Sequence, residues 1–182
     1  MTRANILLET EFLPAERAPE VVIAQQRDAF AQNDLLTHVL NSMPEGVLIL
    51  NKERQIVFSN DEGDGPKLYI VEVPQKEGES SRLFRWRTGY HFCTDPEWSP
   101  DGKHIAFTTR KAGEWVVAVK PYPNGGVRVL QTGGAQHPSW SPNGRFITYV
   151  QHGELFVHDL RSGNRRSLLR GYGQITEPRW MR

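Results

Sequence analysis

Apolar residues change their period once along this chain. Between Pro19 and Met43, Val22, Ala29, Leu36 and Met43 recur seven apart, and Val39 and Leu40 widen the stripe near its end. Seven residues are two helical turns, so the spacing predicts an amphipathic α-helix over residues 19–44, with Pro19 in its first turn and Pro44-Glu45-Gly46 stopping it. Gln25 and Gln32 break the second half of the heptad, which favours a helix packed on a neighbour over a strong coiled coil. Residues 1–18 read as a flexible amino-terminal segment. From Val47 onward the pattern is different. Short β-rich runs at 47–50, 56–58, 68–71, 105–107, 115–119, 127–130, 146–149, 155–160 and 165–169 alternate with polar, Gly-bearing turns. That rhythm predicts an all-β region over residues 45–182.

The β region repeats itself. Pro96-Glu97-Trp98 recurs as Pro138-Ser139-Trp140 and again as Pro178-Arg179-Trp180. A period of about forty residues with several short strands per repeat is the pattern of propeller blades. Trp98, Trp140 and Trp180 are expected to anchor the blade cores. Ser99-Pro100-Asp101-Gly102 and Ser141-Pro142-Asn143-Gly144 are tight turns: proline presets φ at the first central position and glycine accepts positive φ. Upstream, residues 54–58 align with 103–107, so a third blade begins there, with 47–50 in place of the Trp-bearing strand. The expected fold is therefore mostly β: a partial β-propeller of about three four-stranded blades preceded by an amphipathic helix.

These blades resemble the propeller of the TolB family, the periplasmic component of the Tol–Pal envelope system. The match is carried by PEWSPDGKHIAF at 96–107, PSWSPNGRFITY at 138–149, IVFSNDEGDGPKLYIVEV at 56–73 and the ending EPRWMR. The resemblance implies a non-enzymatic docking module without a cofactor, whose partner is a protein or peptide such as the peptidoglycan-associated lipoprotein. Residues 35–60, LLTHVLNSMPEGVLILNKERQIVFSN, are similar to the start of a PAS sensor domain. This second resemblance implies a signalling fragment coupled to a propeller. Comparable blades in prolyl-peptidase propellers imply a third reading, the non-catalytic propeller of a hydrolase.

Composition narrows the chemistry. A net charge of +1 gives no field for nucleic acid or an anionic surface. No apolar run approaches the roughly 20 residues of a membrane span. The first fourteen residues lack a secretory pattern, so the chain as it stands is expected in the cytoplasm, and a periplasmic location goes with a different amino terminus. Cys93 is the single cysteine, which leaves the fold to its core. No nucleophile elbow, P-loop or zinc-ligand spacing occurs. His91 and Cys93 lie two apart without announced co-ligands, so no metal is expected.

The candidate binding site comes from the repeat. Asp95, His137 and Glu177 precede the repeated prolines, and Thr94, Gln136 and Thr176 precede those. In a radial array these six cluster at one mouth of the axial channel. There they either hold a peptide, a cation or water, or hydrogen-bond neighbouring blades. Arg161, Arg165, Arg166 and Arg170 read as a solvated outer strand and loop, and Trp86 and Tyr90 as packing in a blade connection. Three blades fall short of the typical four to eight of a ring. Residues 177–180 are the natural closing strand, so two copies are expected to complete a six-bladed ring.

Overall fold

The computed structural model describes residues 6–7, 48–51, 55–61, 63–74, 76 and 80–180. The predicted helix over 19–44 lies wholly outside these residues, and no helix occurs among those described.

Among the described residues thirteen strands form three sheets, each a blade. The first holds β1 (Ile6–Leu7), β2 (Leu48–Leu50), β3 (Gln55–Asp61), β4 (Pro66–Glu72) and β5 (Arg82–Arg85) in that order. The second holds β6 (Cys93–Trp98), β7 (His104–Lys111), β8 (Glu114–Pro121) and β9 (Arg128–Gln131). The third holds β10 (Ala135–Trp140), β11 (Phe146–Gln151), β12 (Glu154–Asp159) and β13 (Arg165–Leu169). Each blade is an antiparallel meander, except that β1 pairs β2 in parallel. The sequence pattern gave no strand at Ile6–Leu7; a two-residue run supported only by its partner has no period to read.

The repeat is visible in the ladder itself. Trp98 pairs with Ile105 and Trp140 with Ile147. Leu50 pairs with Ile56, the equivalent register, so β2 takes the place of the Trp-bearing strand. The PAS-like reading of residues 35–60 therefore gains no support: 48–50 and 55–60 are the first two strands of a propeller blade.

The two Ser-Pro-Asx-Gly turns are built alike. The Ser99 hydroxyl donates to Asp101 Oδ1 at 2.6 Å and accepts the His104 N–H at 2.9 Å; Ser141 donates to Asn143 Oδ1 at 2.7 Å and accepts the Phe146 N–H at 2.9 Å. Gly102 and Gly144 close them at φ 70° and 67°, a region open to glycine at little cost. In the first blade Asn51 replaces the serine. Its Oδ1 accepts the Gln55 N–H at 2.8 Å, and its turn is one residue shorter.

Cores lie between blades. Trp98, Trp86 and Phe107 pack with Val57, Leu68 and Ile70 to join the first blade to the second. Trp140 packs with Ala106, Val119 and Ile147 to join the second to the third. Burying one tryptophan stabilises by on the order of 4–6 kcal/mol. Trp98 and Trp140 are buried as expected, whereas Trp180 is only half-buried. Trp86 is buried and Tyr90 packs against the same core, both in the connection between the first two blades. Residues 174–180 belong to no strand, so the expected closing strand has no ladder partner among the described residues.

Candidate binding site at the blade mouths

The strand that opens the second blade and the one that opens the third each carry a break in register, between Thr94 and Glu97 in β6 and between Gln136 and Ser139 in β10. The break falls on the residue before the repeated proline. Asp95, His137 and Glu177 all adopt positive φ, at 49°, 55° and 48°. Non-glycine residues rarely do so, and the conformation costs about 1–3 kcal/mol. Three copies of one strained position mark a shared feature of the repeat, and bulges of this kind re-aim a side chain.

In the second and third blades the re-aimed side chains meet. His137 Nδ1 lies 3.4 Å from Asp95 Oδ2, with both side chains 28% exposed. The Thr94 hydroxyl donates to Asp95 Oδ2 at 3.2 Å, and the His137 N–H donates to Thr108 Oγ1 at 3.1 Å. Burial by itself raises the Asp95 pKa, but the hydrogen bonds from His137 and Thr108 and the imidazole charge outweigh it and hold the carboxyl below its ordinary value. The hydrogen bond to Asp95 raises the His137 pKa against the opposing effect of burial, and the charge of Glu177 adds to the rise. The two directions agree, as they should for one ion pair.

Of the six predicted residues, Asp95 and His137 are in direct contact and Thr94 touches Asp95. Glu177 is exposed and reaches His137 through its charge. Gln136 is half-buried opposite Val150 in the ladder, and Thr176 is exposed. Hydrogen bonding between neighbouring blades is thus realised, and the partly open pair also faces solvent.

A second set was not foreseen. Glu97, Ser139 and Arg179 are the middle residues of the three Pro-X-Trp copies, and they converge. Glu97, 4% exposed, accepts the Trp140 N–H at 3.1 Å and the Ser139 hydroxyl at 3.4 Å through Oε1. Its Oε2 pairs with Arg179 Nη1 at 3.0 Å. The Glu97 carbonyl accepts the Trp140 indole N–H at 3.2 Å. Acid, small hydroxyl and base at one repeat position are complementary, and that alternation was the available signal. Thr108, fully buried beneath His137, had none.

Two clefts flank these joints. At the far end of β6, a cleft of about 610 Å³ lies between the two Ser-Pro-Asx-Gly turns, with Trp140, Val119, Leu130 and Leu160 among its walls. A smaller cleft of about 340 Å³ lies under the connection that leads into Cys93. Cys93 is buried, and burial raises its thiol pKa. Among the described residues no group of three or more His, Cys, Asp or Glu is placed to hold a metal ion.

Comparison with known proteins agrees with this architecture. The Tol-Pal system protein TolB of Francisella tularensis subsp. tularensis (strain WY96-3418) is 32% identical over 99 residues, which cover 52% of this chain and 22% of that protein. The corresponding protein of subsp. mediasiatica (strain FSC147) gives the same figures. The chain thus spans about a fifth of the length of these relatives. Among solved structures, TolB from Acinetobacter baumannii superposes with a TM-score of 0.61 at 24% identity, over 74% of this chain and 34% of that one. A putative TolB from Agrobacterium tumefaciens gives 0.58 at 23% identity, over 69% and 45%. The tricorn protease, at a TM-score of 0.50 and 14% identity over 72% and 13%, shares the fold alone. The family model described as the TolB beta propeller domain matches residues 50–182, and the chain belongs to that family.

Proposed function

We propose that this chain is a non-catalytic module that binds a protein or peptide at the mouth where its pre-proline residues converge. The observation that carries this reading is the half-open Asp95–His137 pair, held by a backbone strain that recurs at Glu177. Strain maintained at three equivalent positions is characteristic of functional sites. A hydrogen-bonded His–Asp pair that is partly solvated offers a donor and an acceptor to an incoming chain. The relatives named for the Tol-Pal system support an envelope lipoprotein of the Pal type as the partner, and with it a periplasmic setting. The test is a biosensor measurement with the soluble domain of a peptidoglycan-associated lipoprotein on wild type and on Asp95→Ala/His137→Ala/Glu177→Ala. A loss of about tenfold or more in affinity is expected. Undiminished binding by the triple variant overturns the site.

A paired assembly of two copies belongs to the same reading. It is supported by the exposed Leu168, Leu169 and Tyr172 on and beyond the last strand, and by the Trp180 indole N–H, which has no acceptor among the described residues. Light scattering after gel filtration is expected to give a dimer mass. A stable monomer at micromolar concentration removes it.

A further inference from the structure

The two connections between blades differ in length. Residues 132–134 join β9 to β10, whereas residues 86–92 join β5 to β6, seven residues in place of three. In repeat folds, extra residues at one connection map to one face, often the binding face. Here the longer connection roofs the 340 Å³ cleft.

The lining of that cleft is cationic on an apolar floor. Arg85 and Arg87 stand exposed at its rim, and Leu68, Trp86 and Cys93 are buried beneath. No Asp or Glu is among the described residues that line it. Lys67 also lines the cleft, but its ammonium is already engaged by the Asp64 carboxylate at 2.9 Å and by the Asp64 and Gly65 carbonyls at 3.2 and 2.7 Å. Its charge is therefore offset in place. Arg85 feels the Asp64 carboxylate only through its charge, and neither Arg85 nor Arg87 forms an ion pair among the described residues.

The frame is fixed. The Trp86 indole donates to the Pro123 carbonyl at 3.0 Å, and Lys120 Nζ sits 4.3 Å from the ring centroid. The Thr88 hydroxyl accepts the Tyr90 N–H at 3.1 Å and touches Cys93 Sγ at 3.2 Å, which folds the connection inward. At the other end of the connection, Phe92 stacks edge-on against Trp115 at 5.1 Å and leaves no room for a Cβ at Gly65.

We propose that this cleft binds an acidic peptide segment, with a carboxylate on Arg85 and Arg87 and the neighbouring apolar side chain against Leu68 and Trp86. A planar guanidinium matches a carboxylate bidentately, two of them line this cleft, and its volume is at the small end of those that hold ligands. The site stands on this cleft alone and does not depend on the Asp95–His137 mouth.

The experiment is titration calorimetry of the 182-residue chain with an acetylated, amidated tetrapeptide Gly-Glu-Leu-Gly, its Gly-Gln-Leu-Gly analogue, and inorganic phosphate. The glutamate peptide is expected to bind about tenfold more tightly than the glutamine peptide, and Arg85→Gln/Arg87→Gln to abolish that advantage. Both positions are exposed, so circular dichroism of the double variant should match wild type. Equal binding of the two peptides, no measurable binding of either, or an advantage that survives in the double variant overturns the proposal. Phosphate binding as tightly as the glutamate peptide reduces the cleft to a simple anion site and also overturns it.

Discussion

The joint between the first and second blades and the joint between the second and third use the same strand frame with opposite chemistry. The first is aromatic: Trp86 fills it, edge-on to Phe107 at 6.3 Å, and Lys120 lies over the indole. The second is polar: a buried Glu97 carboxylate ties Trp140, Ser139 and Arg179 together. Both joints also receive one tryptophan from the repeat. What differs is the length of the connection and the residue between proline and tryptophan. A repeated blade thus fixes where blades meet, and its variable positions decide how.

Truncation at each joint separates the two modes. Trp86→Ala removes a buried aromatic from a close-packed core and leaves the Pro123 carbonyl without its donor, a cost of about 3–5 kcal/mol. Glu97→Ala leaves the Trp140 N–H unsatisfied and Arg179 unpaired. Arg179 is 48% exposed and can turn to water, so the cost is smaller, about 2–3 kcal/mol. Urea unfolding followed by fluorescence and by circular dichroism checks both. Glu97→Ala should lower the urea midpoint while reducing its salt dependence only slightly, because the main loss is the hydrogen bond to Trp140 rather than the exposed pair with Arg179. A Glu97 variant as costly as the Trp86 variant would show that the polar joint carries more of the fold than its exposed arginine suggests.

Much of the frame was legible in the chain. Turn chemistry at Ser99–Gly102 and Ser141–Gly144 is local, so the residues that make it can be read in order. The buried tryptophans follow from a period that only blades produce. The displaced first strand at Leu48–Leu50 was readable because residues 54–58 align with 103–107. The candidate mouth residues were read from the Pro-X-Trp repeat, but their positive φ was not, since proline ordinarily pushes its predecessor to extended backbone. Glu97 was overlooked because its partners lie 42, 43 and 82 residues away and meet only once blades are radially arranged. The cationic cleft was hidden for a related reason: Arg85 and Arg87 look like ordinary surface residues until the 86–92 connection folds over Cys93.

The smallest expected effect is a difference in pH dependence between two histidines, one paired with a carboxylate and one buried without a partner among the described residues. His137 is paired with Asp95, with Glu177 and Arg179 also acting on it, and its pKa is raised above 6.5. Its contribution to stability is therefore fully present below pH 6.5 and is lost as pH rises through the higher folded value. At the acid end the Asp95 contribution is lost as pH falls through a folded value below 3.8. His158 is buried with neither ring nitrogen partnered among the described residues, and burial, with the charge of Arg128, lowers its pKa. Asp159 opposes that shift and Arg165 adds to it. Its neutral form is favoured on folding, so stability falls as pH drops below 6.5 through the lower folded value. His137→Asn, which keeps a residue type tolerant of positive φ, should cost most at pH 5 and least at pH 8. His158→Phe should gain on wild type at pH 5 relative to pH 8. Urea midpoints of the three proteins at the two values decide it. Profiles parallel to wild type in both variants would mean that neither ring changes its protonation on folding, and that the polar joint owes its stability to Glu97 rather than to the mouth beside it.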